Sequence, residues 1–232
     1  MGCLFATPGY RALTVSEFCP GFFQVKWRLA FKPELARERQ EALALGRDRF
    51  LAHYVHVGQR RAELVEYEEQ LGDDDRLLAR ARSLAEEYLP AGDYAYYPVS
   101  FVIFDRDARG YRPVVVDLLN ALDQGERLVY LLAHELHHYY VGMLRRGGIT
   151  DQELADTRSD LAWIVDQIQL EGVADLTNVL LWFGQGQVSP EYLDAVAGAP
   201  AYLRQLERGL EAVSRDRGLL GEVSRQLRQD LL

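Results

Sequence analysis

The sequence predicts an α+β fold, mostly α, and three observations carry that expectation. From Pro33 to about Leu89, charged and apolar residues alternate at helical spacing, and the same texture returns from Pro190 to Leu232. Between these stretches, Tyr94 to Phe104 and Val114-Val115-Val116 are rich in β-branched and aromatic residues and read as strands. Directly after them, Leu128-Val129-Tyr130-Leu131-Leu132-Ala133 opens an apolar helix. The expected organisation is a mainly helical segment over 1–90, a core over 91–188 and C-terminal helices over 189–232, all one compact unit.

Residues 1–31 are mixed and aromatic, with Phe18, Phe22, Phe23 and Trp27 near Pro20-Gly21. They read as an irregular or partly extended entry. Pro33 suits a first helical position, and Gly58 and Gly72 divide the next stretch into about three helices. Glu66, Glu68, Glu69 and Asp73-Asp74-Asp75 form an acidic surface, read as a solvated face and turn. His53 and His56 are expected to be structural, because no motif surrounds them.

Asp105 to Gly110 is a turn signal, so the two strands are expected to form a hairpin just before the apolar helix. A strand edge at that point offers main-chain hydrogen bonds to an extended peptide. Asp123 and Glu126 resemble a capping box at the helix start, and Arg145-Arg146 before Gly147-Gly148 resembles a helix end. After Thr150 and Asp151, a long helix is expected to run to about Phe183.

Composition excludes several function classes. With 48% hydrophobic and 26% charged residues, the 232-residue chain has the make-up of a soluble globular protein. A net charge of -9 without any basic stripe argues against nucleic acid as a partner. The longest apolar runs, such as Val179-Leu180-Leu181-Trp182-Phe183, are far shorter than the roughly twenty residues of a membrane span, so no transmembrane segment is expected. Cys3 and Cys19 are too few for a disulfide scaffold. Met1-Gly2-Cys3-Leu4-Phe5-Ala6 reads neither as a signal peptide nor as a myristoylation site. A cytoplasmic location is the default expectation, or a secreted one if a leader has been removed.

The chemistry concentrates in His134-Glu135-Leu136-His137-His138. On a helix, residues four apart lie about 40° around the axis and roughly 6 Å along it, so His134 and His138 point the same way and can grip one cation. Glu135 then projects beside the ion, where it can take a proton from a bound water. This is the H-E-x-x-H pattern of zinc metalloproteases. Catalytic zinc takes three protein ligands and leaves one position for water. No histidine follows His138, so the third ligand is expected to be a carboxylate. Glu171 is the first candidate, because Gly172 and Ala174 beside it allow a close helix approach; Glu153, Asp156, Asp160 and Asp166 compete. Between Gln167 and Pro190 only Glu171 and Asp175 are charged, and on a helix expected to be buried they need a compensating partner.

His134-Glu135-Leu136-His137-His138 followed by Gln169-Leu170-Glu171-Gly172-Val173-Ala174-Asp175 resembles the gluzincin pattern. Its E-G-x-A-D form is similar to that of uncharacterised bacterial zinc-dependent peptidases. The resemblance covers roughly residues 95–185 and implies a zincin-like core with a small β-hairpin or sheet before the motif helix. It also implies one zinc ion, a peptide or protein substrate, and Asp175 as a residue hydrogen-bonded to a ligand histidine. Gluzincins steady the oxyanion with a Tyr, His or Arg. Here Tyr192 and Tyr202, or Tyr139 and Tyr140, stand for that role against a packing role.

The expected activity is therefore hydrolysis of peptides by metal-activated water, with Glu135 as general base. The alternative is a non-catalytic zinc-binding interaction or regulatory domain that keeps the same core. A di-iron carboxylate bundle, suggested by Glu135 and His138 as E-x-x-H, lacks the second E-x-x-H it requires. Neither substrate preference nor oligomeric state is encoded in these patterns.

Overall fold

The computed structural model describes residues 4–19, 21–72, 75–87, 89–92, 94, 98–145, 170–175, 190–219, 221–223 and 225–226. The chain divides into two compact units, Met1–Tyr139 and Tyr140–Leu232. It is mostly helical, and its described residues form a three-stranded mixed sheet.

The first unit opens on two helices, α1 (Pro8–Ser16) and α2 (Phe22–Phe31), where an irregular or extended entry was expected. The aromatic content suggested extension, but spacing decides. Phe23, Trp27 and Ala30 recur at i, i+4 and i+7, which places them on one helical face. That face packs with Tyr10, Leu13, Leu51, Tyr54, Val102, Phe104 and Val115. Edge-on ring contacts, such as Trp27 to Tyr54 with centroids 5.7 Å apart, add specificity to this core.

Four helices follow, not three: α3 (Ala36–Ala44), α4 (Arg49–Gln59), α5 (Arg61–Gly72) and α6 (Asp75–Glu86). Gly58 lies in the last turn of α4, and the break to α5 falls two residues beyond it, at Arg60. The extra break falls at Gly46, whose φ of 64° is left-handed and cheap only for glycine. Asp48 then caps α4 by accepting a hydrogen bond from the Leu51 amide at 3.0 Å.

The strands are β1 (Val99–Val102), β2 (Ala108–Arg109) and β3 (Val114–Asp117), in the order β1-β3-β2. The expected hairpin between the first and last of them does not form. They pair in parallel, Val99 opposite Val114. The intervening segment is more than a turn: it contributes β2, which pairs antiparallel with β3, Ala108 opposite Val116. With β3 central, Val114, Val115 and Val116 are wholly buried, which accounts for an unbroken valine run in place of alternation.

At its end β3 passes into α7 (Leu118–Gln124), a 3-10 turn (Gly125–Arg127) and the motif helix α8 (Leu128–Arg145). The expected capping box at Asp123 is absent, because Asp123 lies within α7 and forms ion pairs with Arg60 and Arg106. The cap is Asp117, which accepts the Asn120 amide at 3.0 Å and starts α7. The helix end expected at Arg145-Arg146 before Gly147-Gly148 borders residues outside the described set, and α8 is described as far as Arg145.

In the second unit, residues 170–175 are helical, and α9 (Pro190–Arg215) lies within the C-terminal stretch expected to be helical. The rest of the helix expected from Thr150 to Phe183 lies outside the described residues. Among the described residues, no helix is long and apolar enough to cross a membrane.

Candidate metal centre

Leu128, Val129, Leu132, Ala133, Leu136, Tyr139 and Tyr140 bury the core-facing side of α8. This apolar stripe sets the helix's rotation, and the rotation sets where the polar residues point. His134 and His138 are half-buried with ring centroids 4.5 Å apart, and their Nε2 atoms share a hydrogen bond at 2.8 Å. The i, i+4 spacing therefore converges two imidazole nitrogens on one point. Two zinc–nitrogen bonds of about 2.05 Å at a tetrahedral angle would hold the nitrogens about 3.3 Å apart, so a small ring rotation admits the ion.

Glu135 sits on the flank of α8 next to this pair and is 8% exposed. On the other flank, about 160° away, His137 is buried and donates from Nδ1 to the Ala85 carbonyl at 3.3 Å. Burial pushes the His137 pKa down; the Ala85 carbonyl opposes this and the neighbouring His134 adds to it. A neutral His137 thus pins the motif helix to the end of α6. This contact is not legible in the sequence, since His137 occupies one of the free positions of the motif.

The end of β2 lies against the same face. A Cβ built on Gly110 would come 2.8 Å from His138 Cβ and 3.5 Å from Glu135 Oε2. Just before β2, the Asp107 carbonyl accepts from the Asp117 amide of β3 at 2.9 Å, so by antiparallel alternation the main-chain groups of Ala108 face away from β3. They are taken by neighbouring side chains: the Ala108 amide donates to Asp107 Oδ1 at 2.9 Å, and its carbonyl accepts from Arg109 at 2.8 Å. This edge is guarded against strand addition at Ala108.

The remaining candidates are distributed as follows. His53 belongs to the core, with Nε2 at 2.8 Å from Asp117 Oδ2, and His56 faces Gln59 on the surface. Neither joins the motif. Glu171 and Asp175 lie in the second unit on the helical segment 170–175, and both are exposed, where a buried helix was expected. Tyr139 and Tyr140 are buried and pack. Tyr192 and Tyr202 lie on α9, their side chains outside the described set, and Glu153, Asp156, Asp160 and Asp166 lie wholly outside it.

In the first unit, the paired His134 and His138 nitrogens offer two donors that suit a divalent ion. Imidazole nitrogens are zinc donors, and the borderline-soft character of zinc favours them where calcium and magnesium take all-oxygen sets. Comparisons with curated proteins and with solved structures give no match. A family model does match, over residues 3–232, and the chain belongs to the family it describes, "Putative zinc dependent peptidase (DUF5700)".

Proposed function

We propose that the protein is a gluzincin-type peptidase that holds one zinc ion through His134, His138 and Glu171 and hydrolyses peptide bonds with Glu135 as general base. The observation that carries this reading is the 2.8 Å approach of the His134 and His138 Nε2 atoms with the Glu135 carboxyl on the adjoining flank of one helix. Membership of the family described above supports it.

When bound, zinc would make water nucleophilic near neutral pH and polarise the carbonyl of the scissile bond. The protein's own groups do the rest. Glu135 takes a proton as the water oxygen attacks the carbonyl carbon, then delivers it to the departing amine nitrogen as the C–N bond breaks. The products are a carboxylic acid and an amine, and Glu135 returns to its starting state. Its nearly complete burial keeps bulk water from competing for that proton. Asp175 is assigned to orient a ligand imidazole, and Tyr192 or Tyr202 to steady the oxyanion.

The test is a comparison of wild type with Glu135→Gln. The variant is expected to keep stoichiometric zinc and to lose about 10²-fold or more of peptide hydrolysis, the range of a general base. If wild-type protein carrying zinc cleaves nothing in a broad peptide library, the catalytic reading fails and the non-catalytic zinc-binding domain takes its place.

A further inference from the structure

The chain leaves β2 at Gly110 and passes directly over the motif helix. Here a Cβ would meet His138 Cβ at 2.8 Å, the Glu135 backbone oxygen at 3.0 Å and Glu135 Oε2 at 3.5 Å. The first two are backbone or one bond from it, so neither can swing aside as a side-chain tip would. Nor can the strand retreat easily. Arg109 is paired with Glu17 at the end of α1 and with Asp107, Tyr111 donates to the same Glu17, and the Asp107 carbonyl is held by the Asp117 amide. Any atom added at position 110 is therefore taken up by α8, at the two residues that carry its chemistry.

We propose that Gly110 is a positioning residue: its bare Cα is the surface on which Glu135 and His138 are seated. It rests on the zinc-peptidase reading and acts through those two side chains, without touching substrate. Because an added Cβ would collide with Cβ of one ligand and with the backbone of the general base, relief of the clash moves the His138 ring away from the nitrogen of His134. Groups that orient a metal ligand in this way typically contribute about 10–100-fold to metal affinity.

Gly110→Ala separates this role from plain destabilisation when it is measured beside Gly9→Ala. Position 9 is equally crowded, with Ser100 Cβ and Val102 Cγ1 both at 2.8 Å from a built Cβ, but it lies on α1. Zinc affinity is read by competition with a chromophoric chelator, and stability by urea unfolding of the metal-free proteins. The expected result is a zinc affinity about 10–100-fold weaker in Gly110→Ala, with Gly9→Ala within about twofold of wild type although its stability falls. Equal zinc affinity in Gly110→Ala and wild type overturns the proposal, as does an equal loss in Gly9→Ala.

Should Gly110→Ala not fold, hydrogen exchange on the wild-type protein decides. Zinc should slow exchange at Gly110 and Tyr111 together with the motif helix; protection confined to the helix overturns the proposal. A wild type that binds no zinc sinks the functional reading and this inference together, whereas zinc binding indifferent to position 110 sinks the inference alone.

Discussion

His53 Nε2 lies 2.8 Å from Asp117 Oδ2, and both residues are buried in the first unit. The same carboxylate accepts the Phe104 amide at 2.7 Å and the Asn120 amide at 3.0 Å. One side chain thereby ties α4 and the segment after β1 to the start of α7, the element that leads into the motif helix. Asp117→Ala strands two buried donors and a part-buried one at once and is expected to cost roughly 3–5 kcal/mol. Asp117→Asn keeps an acceptor and should cost less. Urea unfolding of the metal-free protein measures both, and a loss below about 1 kcal/mol for the alanine variant would show that the node is dispensable.

Acid should act through Glu17. Partial burial raises its pKa, but hydrogen bonds from Arg109 and Tyr111 and the Arg109 charge outweigh that and hold it below the usual carboxylate range. A carboxyl depressed in the folded state binds its proton sooner in the unfolded chain. Its contribution is therefore complete above the unfolded value near 4.5 and disappears as pH falls through the folded one. Glu17→Gln should lower stability at neutral pH and flatten the acid limb of the stability profile. An unchanged acid limb in Glu17→Gln counts against this account.

Alkali should act through Tyr10 and Tyr54, whose hydroxyls both donate to the Ile103 carbonyl, at 2.8 Å and 2.9 Å. Burial pushes Tyr10 up to about 12, with its bonds to Ile103 and Tyr54 opposing, and burial also raises Tyr54. The folded state thus retains protons that the unfolded chain releases from about pH 10, and stability drains away between there and the folded values. Tyr10→Phe should cost about 1 kcal/mol at neutral pH and lessen the alkaline slope. Tyrosinate absorbance during alkaline unfolding reports it; ionisation of Tyr10 without loss of structure is the contrary outcome.

Metal retention should depend on Glu171 more than on any other acid in the second unit. Asp175→Asn is expected to weaken zinc binding by about 10–100-fold, and Glu171→Ala by more than that. Glu153→Ala, Asp156→Ala, Asp160→Ala and Asp166→Ala should leave it unchanged. Metal analysis of the purified variants decides, and full zinc occupancy in Glu171→Ala would transfer the third-ligand role to another carboxylate.

Local regularities were readable from the chain. The convergence of His134 and His138 follows from a period of 3.6 residues inside an apolar run, so no distant contact is needed to place them. The strand at Val114-Val115-Val116 and the apolar helix that opens at Leu128 are likewise properties of short windows. Helix content at 8–31 is hidden from residue type because aromatic residues serve strands and helices alike; only their spacing of four, weighed above their identity, separates the two.

What the sequence by itself determined is the face of α8 that carries the two imidazoles and Glu135, since backbone geometry alone turns that spacing into a shared direction. Tertiary structure alone decided that β1 lies parallel to β3 with β2 added at the far edge, that His53 meets Asp117, and that Gly110 presses on the motif helix. Each of those joins residues distant along the chain, and strand order or side-chain contact at that separation is chosen by the summed burial of the whole core, which no short window of sequence contains.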